Sequence, residues 1–223
     1  MKHPGPLFTL LAGVVLAAGI GIANLVNGTT QAPPSTAGAV TTTAPAPNTY
    51  VTTASSAPAP VSAPARADYA GRVDGGGASV AVSVRDGRGI AYVCDGKKVE
   101  AWLQGGAADG RLELQDGKGS TLIGSRDVAT VTGTVTVEAR TWRFTIPVAT
   151  KPAGLYRATP TVQGRPAKVG WIVQADGSQV GVLTAGDTST SAPPLDPAAG
   201  TATVDGSPIA AESISGLSGK GAF

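Results

Sequence analysis

Histidine is almost absent from this sequence: of 223 residues only His3, at the extreme N-terminus, carries an imidazole. A Ser-His-Asp triad, a Cys-His dyad and a histidine-based zinc site all need that ring, so the folded part of the chain offers none of the three. Cysteine is as scarce. Cys94 stands alone, which excludes an intrachain disulfide and a zinc site built from thiolates, because one sulfur fills neither. Aromatic residues make up 4% and charged residues 14% of the chain; a helical bundle would need far more long, charged helix formers. The net charge of +2 is too small for a general nucleic-acid binder, whose phosphate contacts demand a basic excess. No G-x-S-x-G elbow, G-x-G-x-x-G turn or Walker loop occurs, so the common nucleophile and phosphate motifs are missing too. Nothing calls for a cofactor or a metal.

What is present divides the chain into four parts. Residues 7–26 read LFTLLAGVVLAAGIGIANLV, free of charge and preceded by Lys2. As a helix rising 1.5 Å per residue this run spans roughly 30 Å, a hydrocarbon core. No further basic residue follows until Arg66, so the positive-inside bias predicts a single-pass plasma-membrane signal anchor over 1–26, N-terminus cytoplasmic, with all that follows extracytoplasmic. The alternative is secretion after cleavage near Gly21-Ile22-Ala23, although the apolar run exceeds the usual length of a signal peptide's core. Gly13, Ala17 and Gly21 recur at a spacing of four, which would give a membrane helix a small-residue face for packing against another helix.

Residues 27–67 form the second part, a linker rich in Pro, Thr, Ala and Ser with no charge before Arg66. It has no hydrophobic period with which to offset chain entropy, and its Pro-Ala repeats favour an extended, disordered stalk.

From Asp68 the texture changes. Asp-Gly occurs seven times, beginning at Asp74, Asp86, Asp95, Asp109, Asp116, Asp176 and Asp205. Between apolar runs this dipeptide is a strong hairpin signal, because both residues tolerate positive φ. The intervening runs alternate with period two: Val80, Val82 and Val84; Leu112 and Leu114; Val135 and Val137; Trp142, Phe144 and Ile146. Further strands are predicted at 89–94, 98–103, 155–158, 169–174 and 179–183. The fold class is therefore all-β: over 68–185, a small antiparallel meander closed into a barrel or sandwich, preceded by the transmembrane helix and the disordered linker. Residues 186–223 are expected to be a semi-ordered acidic extension, with one hairpin in TATVDGSPIA.

Few residues invite chemistry. Cys94 shares a strand face with Ile90 and Tyr92 and reads as a packing residue, since a reactive thiol needs a lowered pKa. A hydrolase working through paired carboxylates needs no histidine, yet most of the acids belong to Asp-Gly turns. Trp102, Trp142 and Trp171 supply bulk for a core of small residues, or, exposed together, a sugar-stacking platform. Charge gives the positive clue. No acid lies between Glu138 and Asp176, a stretch holding Arg140, Arg143, Lys151, Arg157, Arg165 and Lys168, while five acids from Asp176 onward face only Lys220. The six cations are candidates for an anionic-partner face, for lipid headgroups or acidic wall polymer; alternatively the acidic tail folds back on them.

The order AYVCDGKKVEAWLQG, DGRLEL, GTVTV, WRFTIP and GLYRA, behind a membrane segment and a Thr/Ala/Pro-rich stalk, resembles actinobacterial-type envelope-anchored proteins with a small secreted β domain. The resemblance covers roughly residues 71–158. It implies an envelope location and a barrel-like fold, and transfers no catalytic residue. The expectation is a membrane-anchored extracytoplasmic binding or scaffolding module of the cell envelope, not an enzyme, with a membrane-protein, anionic lipid or wall-polymer partner. The alternative is a lipocalin-like carrier holding a lipid or small apolar ligand inside a barrel.

Overall fold

A computed structural model describes residues 63–217. The expected anchor, its Gly13, Ala17 and Gly21 face, and most of the linker lie outside the described residues. Within them every regular element is a strand, all pairings are antiparallel, and the chain builds three sheets.

The first sheet is the meander. β1 (Arg66–Arg72), β2 (Ser79–Arg85), β3 (Arg88–Cys94), β4 (Glu100–Gly106), β5 (Arg111–Gln115), β6 (Thr121–Arg126), β7 (Thr130–Val137) and β8 (Arg140–Pro147) pair strictly in chain order. Bridges Tyr69–Val148 and Val73–Phe144 bring β1 to β8, so the sheet nearly closes into a barrel. Closeness along that seam depends on Gly71, where a Cβ would lie 2.5 Å from Ile146 Cγ2. Backbone bonds Asp74 N–H to Arg143 O (2.9 Å) and Ala149 N–H to Asp68 O (2.7 Å) stitch its two ends.

Turn chemistry explains the strand order. Asp86-Gly87, Asp109-Gly110 and Asp205-Gly206 have positive φ at both residues, the requirement of a tight turn whose twist matches its strands. At Asp95 and Asp116 only the glycine is left-handed, and the carboxylate caps its own loop. Asp95 Oδ1 accepts the N–H groups of Lys97, Lys98 and Val99 at 2.8–3.0 Å. The β7–β8 turn is Glu138-Ala139, both at positive φ, with Val137 pairing with Arg140 across it.

The alternation of β2 now has a two-sided meaning. Val80, Val82 and Val84 point into the barrel with Tyr69, Leu103, Leu112, Leu122, Phe144 and Ile146, all buried. An eight-stranded barrel is just wide enough for side chains to fill, and this one is filled. The outward residues of β1–β3, Ala70, Ala81, Ile90, Tyr92 and Cys94, are also buried, because a second sheet covers them.

That sheet is made of β9 (Gly154–Ala158), β10 (Thr161–Val162), β11 (Arg165–Val173), β12 (Gln179–Ala185), β13 (Thr188–Ser191), and a strand from the C-terminus. Leu155, Ile172, Val182 and Ile214 press on the barrel. A third sheet, β14 (Leu195–Asp196), β15 (Thr201–Val204) and β16 (Ser207–Ala210), covers the far side around Tyr156, Val169 and Trp171. The chain returns as β17 (Glu212–Ile214) to pair with β9. The meander thus ends at Pro147, not at 185 as expected; residues 154–214 form two further layers, and the segment expected to be a semi-ordered extension contributes strands to both. Ser215 Oγ and Gly216 N–H (2.8 Å) donate to the buried Asp68 carboxylate, and Ser83 Oγ donates to Ile214 O at 2.9 Å. These bonds clasp the returning chain to β1 and β2.

Candidate functional site

β4 pairs with β5 only from Gln104 onward. Its first half therefore borders a cleft of about 420 Å³ between the barrel and the near ends of β11 and β12, closed on the third side by the turn after β5. Glu100 and Trp102 point into it from the outer face of β4, two residues apart as strand geometry requires. Lys168 and Thr184, directly paired across β11 and β12, line the opposite wall with Pro166; Asp116 and Lys118 come from the turn.

The walls are held in place from behind. Trp102 packs on Tyr92 with ring centroids 4.3 Å apart and planes tilted by 35°. Both rings lie over the backbone of Gly170, where a Cβ would approach Tyr92 Cζ to 2.5 Å and Trp102 Cζ2 to 2.8 Å. Glu100 accepts the Tyr92 hydroxyl at Oε2 (2.9 Å) and the Thr184 hydroxyl at Oε1 (2.7 Å). Thr184 is braced in turn by Ser189 Oγ at 2.9 Å. Burial, aided by Cys94 and Glu100, holds the Tyr92 hydroxyl well above its ordinary pKa, so it remains a donor. The ion pairs among the described residues are Arg66–Asp86, Arg72–Asp176 and Arg157–Glu212. Glu100 is in none of them, and among the described residues its carboxylate accepts the Tyr92 and Thr184 hydroxyls.

Cys94 sits beneath this wall, fully buried, and burial pushes its thiol up to about 12. A neutral thiol is neither nucleophile nor metal ligand, so its part is packing between the layers.

The six cations singled out in the sequence fall on three parts of the fold. Arg140 and Arg143 are on β8, three residues apart and so on opposite faces. Arg140 stands near enough to Asp95 for its charge to favour that carboxylate. Lys151 is in the exposed turn before β9. Arg157, Arg165 and Lys168 are on the second sheet. Arg157 is paired with Glu212 of β17 at 3.1 Å, so the acidic C-terminal segment does return to one of these cations. Lys168 reaches the cleft.

The three tryptophans separate as well. Trp171 is buried and donates its indole N–H to Pro193 O at 2.7 Å, Trp142 packs half-buried on the barrel core, and Trp102 is in the cleft wall. Sequence reasoning did not single out Glu100 and Thr184. Eighty-four residues separate them, and the one local signal was the spacing of Glu100 and Trp102 on a predicted strand. Searches of protein-family models, curated proteins and solved structures found no match to this chain.

Proposed function

We propose that this protein is a membrane-anchored extracytoplasmic binding or scaffolding module of the cell envelope, working through its outer surface. The observation that carries the reading is the solid barrel. Tyr69, Leu103, Leu112, Leu122, Phe144 and Ile146 occupy its interior, whereas a carrier of lipid would need that volume empty. A ligand is then left with the outside, where the cleft beside Trp102 presents an aromatic face, carboxylates and ammonium groups. The anchor and location rest on the uncharged run at 7–26, Lys2 before it and the uncharged stretch up to Arg66. The cations from Arg140 to Lys168 extend the contact surface toward an anionic wall polymer or headgroup.

A photo-crosslinking residue at Lys118, at the cleft rim, should capture a distinct envelope component in living cells, identified by mass spectrometry. The same residue at Thr132, exposed on β7 away from the cleft, should not. Equal yields from both positions, or none from either, would sink the reading. A stoichiometric lipid extracted from the purified protein would favour the carrier instead.

A further inference from the structure

The geometry points to a carbohydrate subsite in the cleft between β4 and the second sheet, taking a neutral sugar ring stacked on Trp102. This inference rests on the reading of the protein as a binding module and names its ligand class.

A sugar ring has an apolar C–H face and a rim of hydroxyls that both donate and accept. Recognising it takes an aromatic face beside fixed acceptors and donors, in a concavity of ligand size. The cleft volume of about 420 Å³ falls inside the range of small-molecule sites, about 300–1,000 Å³. Trp102 supplies the face. Glu100 supplies acceptors: an ionised carboxylate has about four lone-pair positions, and the Tyr92 and Thr184 hydroxyls take one each. Lys168 and Lys118 supply the donors.

Charge decides against ligands of a single sign. Two carboxylates, Glu100 and Asp116, face two ammonium groups, Lys118 and Lys168, in the same cleft. An anion would meet the carboxylates and a cation the lysines, while a neutral polyol uses both. Asp116 is partly occupied by its own loop, accepting the N–H groups of Lys118 (2.7 Å) and Ser120 (2.9 Å), which leaves Glu100 as the principal acceptor. The site is also preformed. Trp102 rests on Tyr92 with its Cζ2 edge over the Gly170 backbone, and Glu100 is tied by two hydroxyls from different sheets. A site ordered before binding loses little side-chain entropy on binding.

The test titrates the full-length protein with the tetramers of β-1,4-linked N-acetylglucosamine and α-1,4-linked glucose, and with tetragalacturonate as an anionic control, followed by tryptophan fluorescence and calorimetry. A saturable response to at least one neutral tetramer is expected, with tetragalacturonate bound at least tenfold more weakly. Glu100→Gln and Lys168→Ala should each weaken binding several-fold and Trp102→Ala should abolish it, while Arg111→Ala, exposed on β5 and outside the cleft, leaves it unchanged. Near-UV circular dichroism checks folding, and if Trp102→Ala fails to fold, the other two variants carry the test. Silence toward both neutral tetramers, equal affinity in Glu100→Gln and Lys168→Ala, or a preference for tetragalacturonate overturns the assignment. A captured partner at Lys118 alongside such a result would leave the binding-module reading standing and remove only the sugar.

Discussion

Gly170 shows how much one hydrogen atom in place of a methyl can decide. Its backbone is the floor under Tyr92 and Trp102, and neither ring can retreat: Tyr92 is fully buried and Trp102 leans on it. Gly170→Ala should destabilise the fold by about 1–3 kcal/mol, the usual cost of overpacking, and should lower the thermal midpoint while perturbing the near-UV tryptophan signal. A midpoint unchanged from wild type would show that the rings move freely. Cys94 gives the complementary prediction. Buried, with its thiol held near 12, it should resist iodoacetamide in the native protein at pH about 8, where an ordinary thiol is substantially ionised, and react at the rate of a free cysteine in denaturant. Rapid native labelling would mean that the two layers part easily.

The hairpin turns carry the predictions at the scale of elements. Six of the seven connections between barrel strands use Asp-Gly or an Asp-capped loop, but β7–β8 uses Glu138-Ala139, with φ of 49° and 64°. A residue with a Cβ is strained there. Ala139→Gly should therefore stabilise the protein by about 0.5–1 kcal/mol, despite the extra freedom glycine gives the unfolded chain, read from a denaturation midpoint shift at constant slope. The Asp-capped loops respond to acid instead. The Asp127 carboxyl is held below its ordinary range by the N–H groups of Ala129 and Thr130. At Asp95 burial pushes up, and the N–H groups of Lys97, Lys98 and Val99 more than offset it, so the net shift is also downward. A carboxyl with a folded pKa below its unfolded value adds stability in full above the unfolded value of about 4, and loses it as pH falls through the folded value. The thermal midpoint should hold steady from neutral pH down to about 5 and fall below about 4. Asp127→Asn should flatten the acid limb, and an identical limb in that variant would place the titrating groups elsewhere.

At the scale of the whole molecule, the clasp at Asp68 joins the last of the described residues to β1, the first strand of the barrel. Ser215 and Gly216 donate to a carboxylate 5% exposed, from across nearly the full described length. Asp68→Ala removes the acceptor of both buried bonds and should cost about 1–3 kcal/mol. Hydrogen exchange should report the loss first in β17 and β9, with β5–β7 still protected; uniform loss across both layers would mean that barrel and second sheet unfold as one unit. Much of this architecture is legible in the sequence. The Asp-Gly turns, the valines of β2 and the alternation in β5, β7 and β8 announce an antiparallel meander. β1 and β6 are harder to see, because RADYAGR and TLIGSR mix small and polar residues on faces that only the closed barrel makes interior. The candidate site is less legible still. Lys168 and Trp102 stand out locally, but Glu100 becomes a tethered acceptor only when Thr184 arrives from the second sheet.

What is local was legible from the residues alone: strand periods, turn positions, and the chemistries ruled out by having no imidazole beyond His3. Those follow from backbone sterics and side-chain inventory, which need no neighbour. Only tertiary packing makes β1–β3 buried on both faces, the barrel solid, and residues 188–214 a cover and edge strand for the second sheet. Alternation fixes which residues share a face of a strand, and it is silent on what lies across from that face. Only packing between distant segments supplies that, and the same packing turns a glutamate, a tryptophan and a lysine into one cleft.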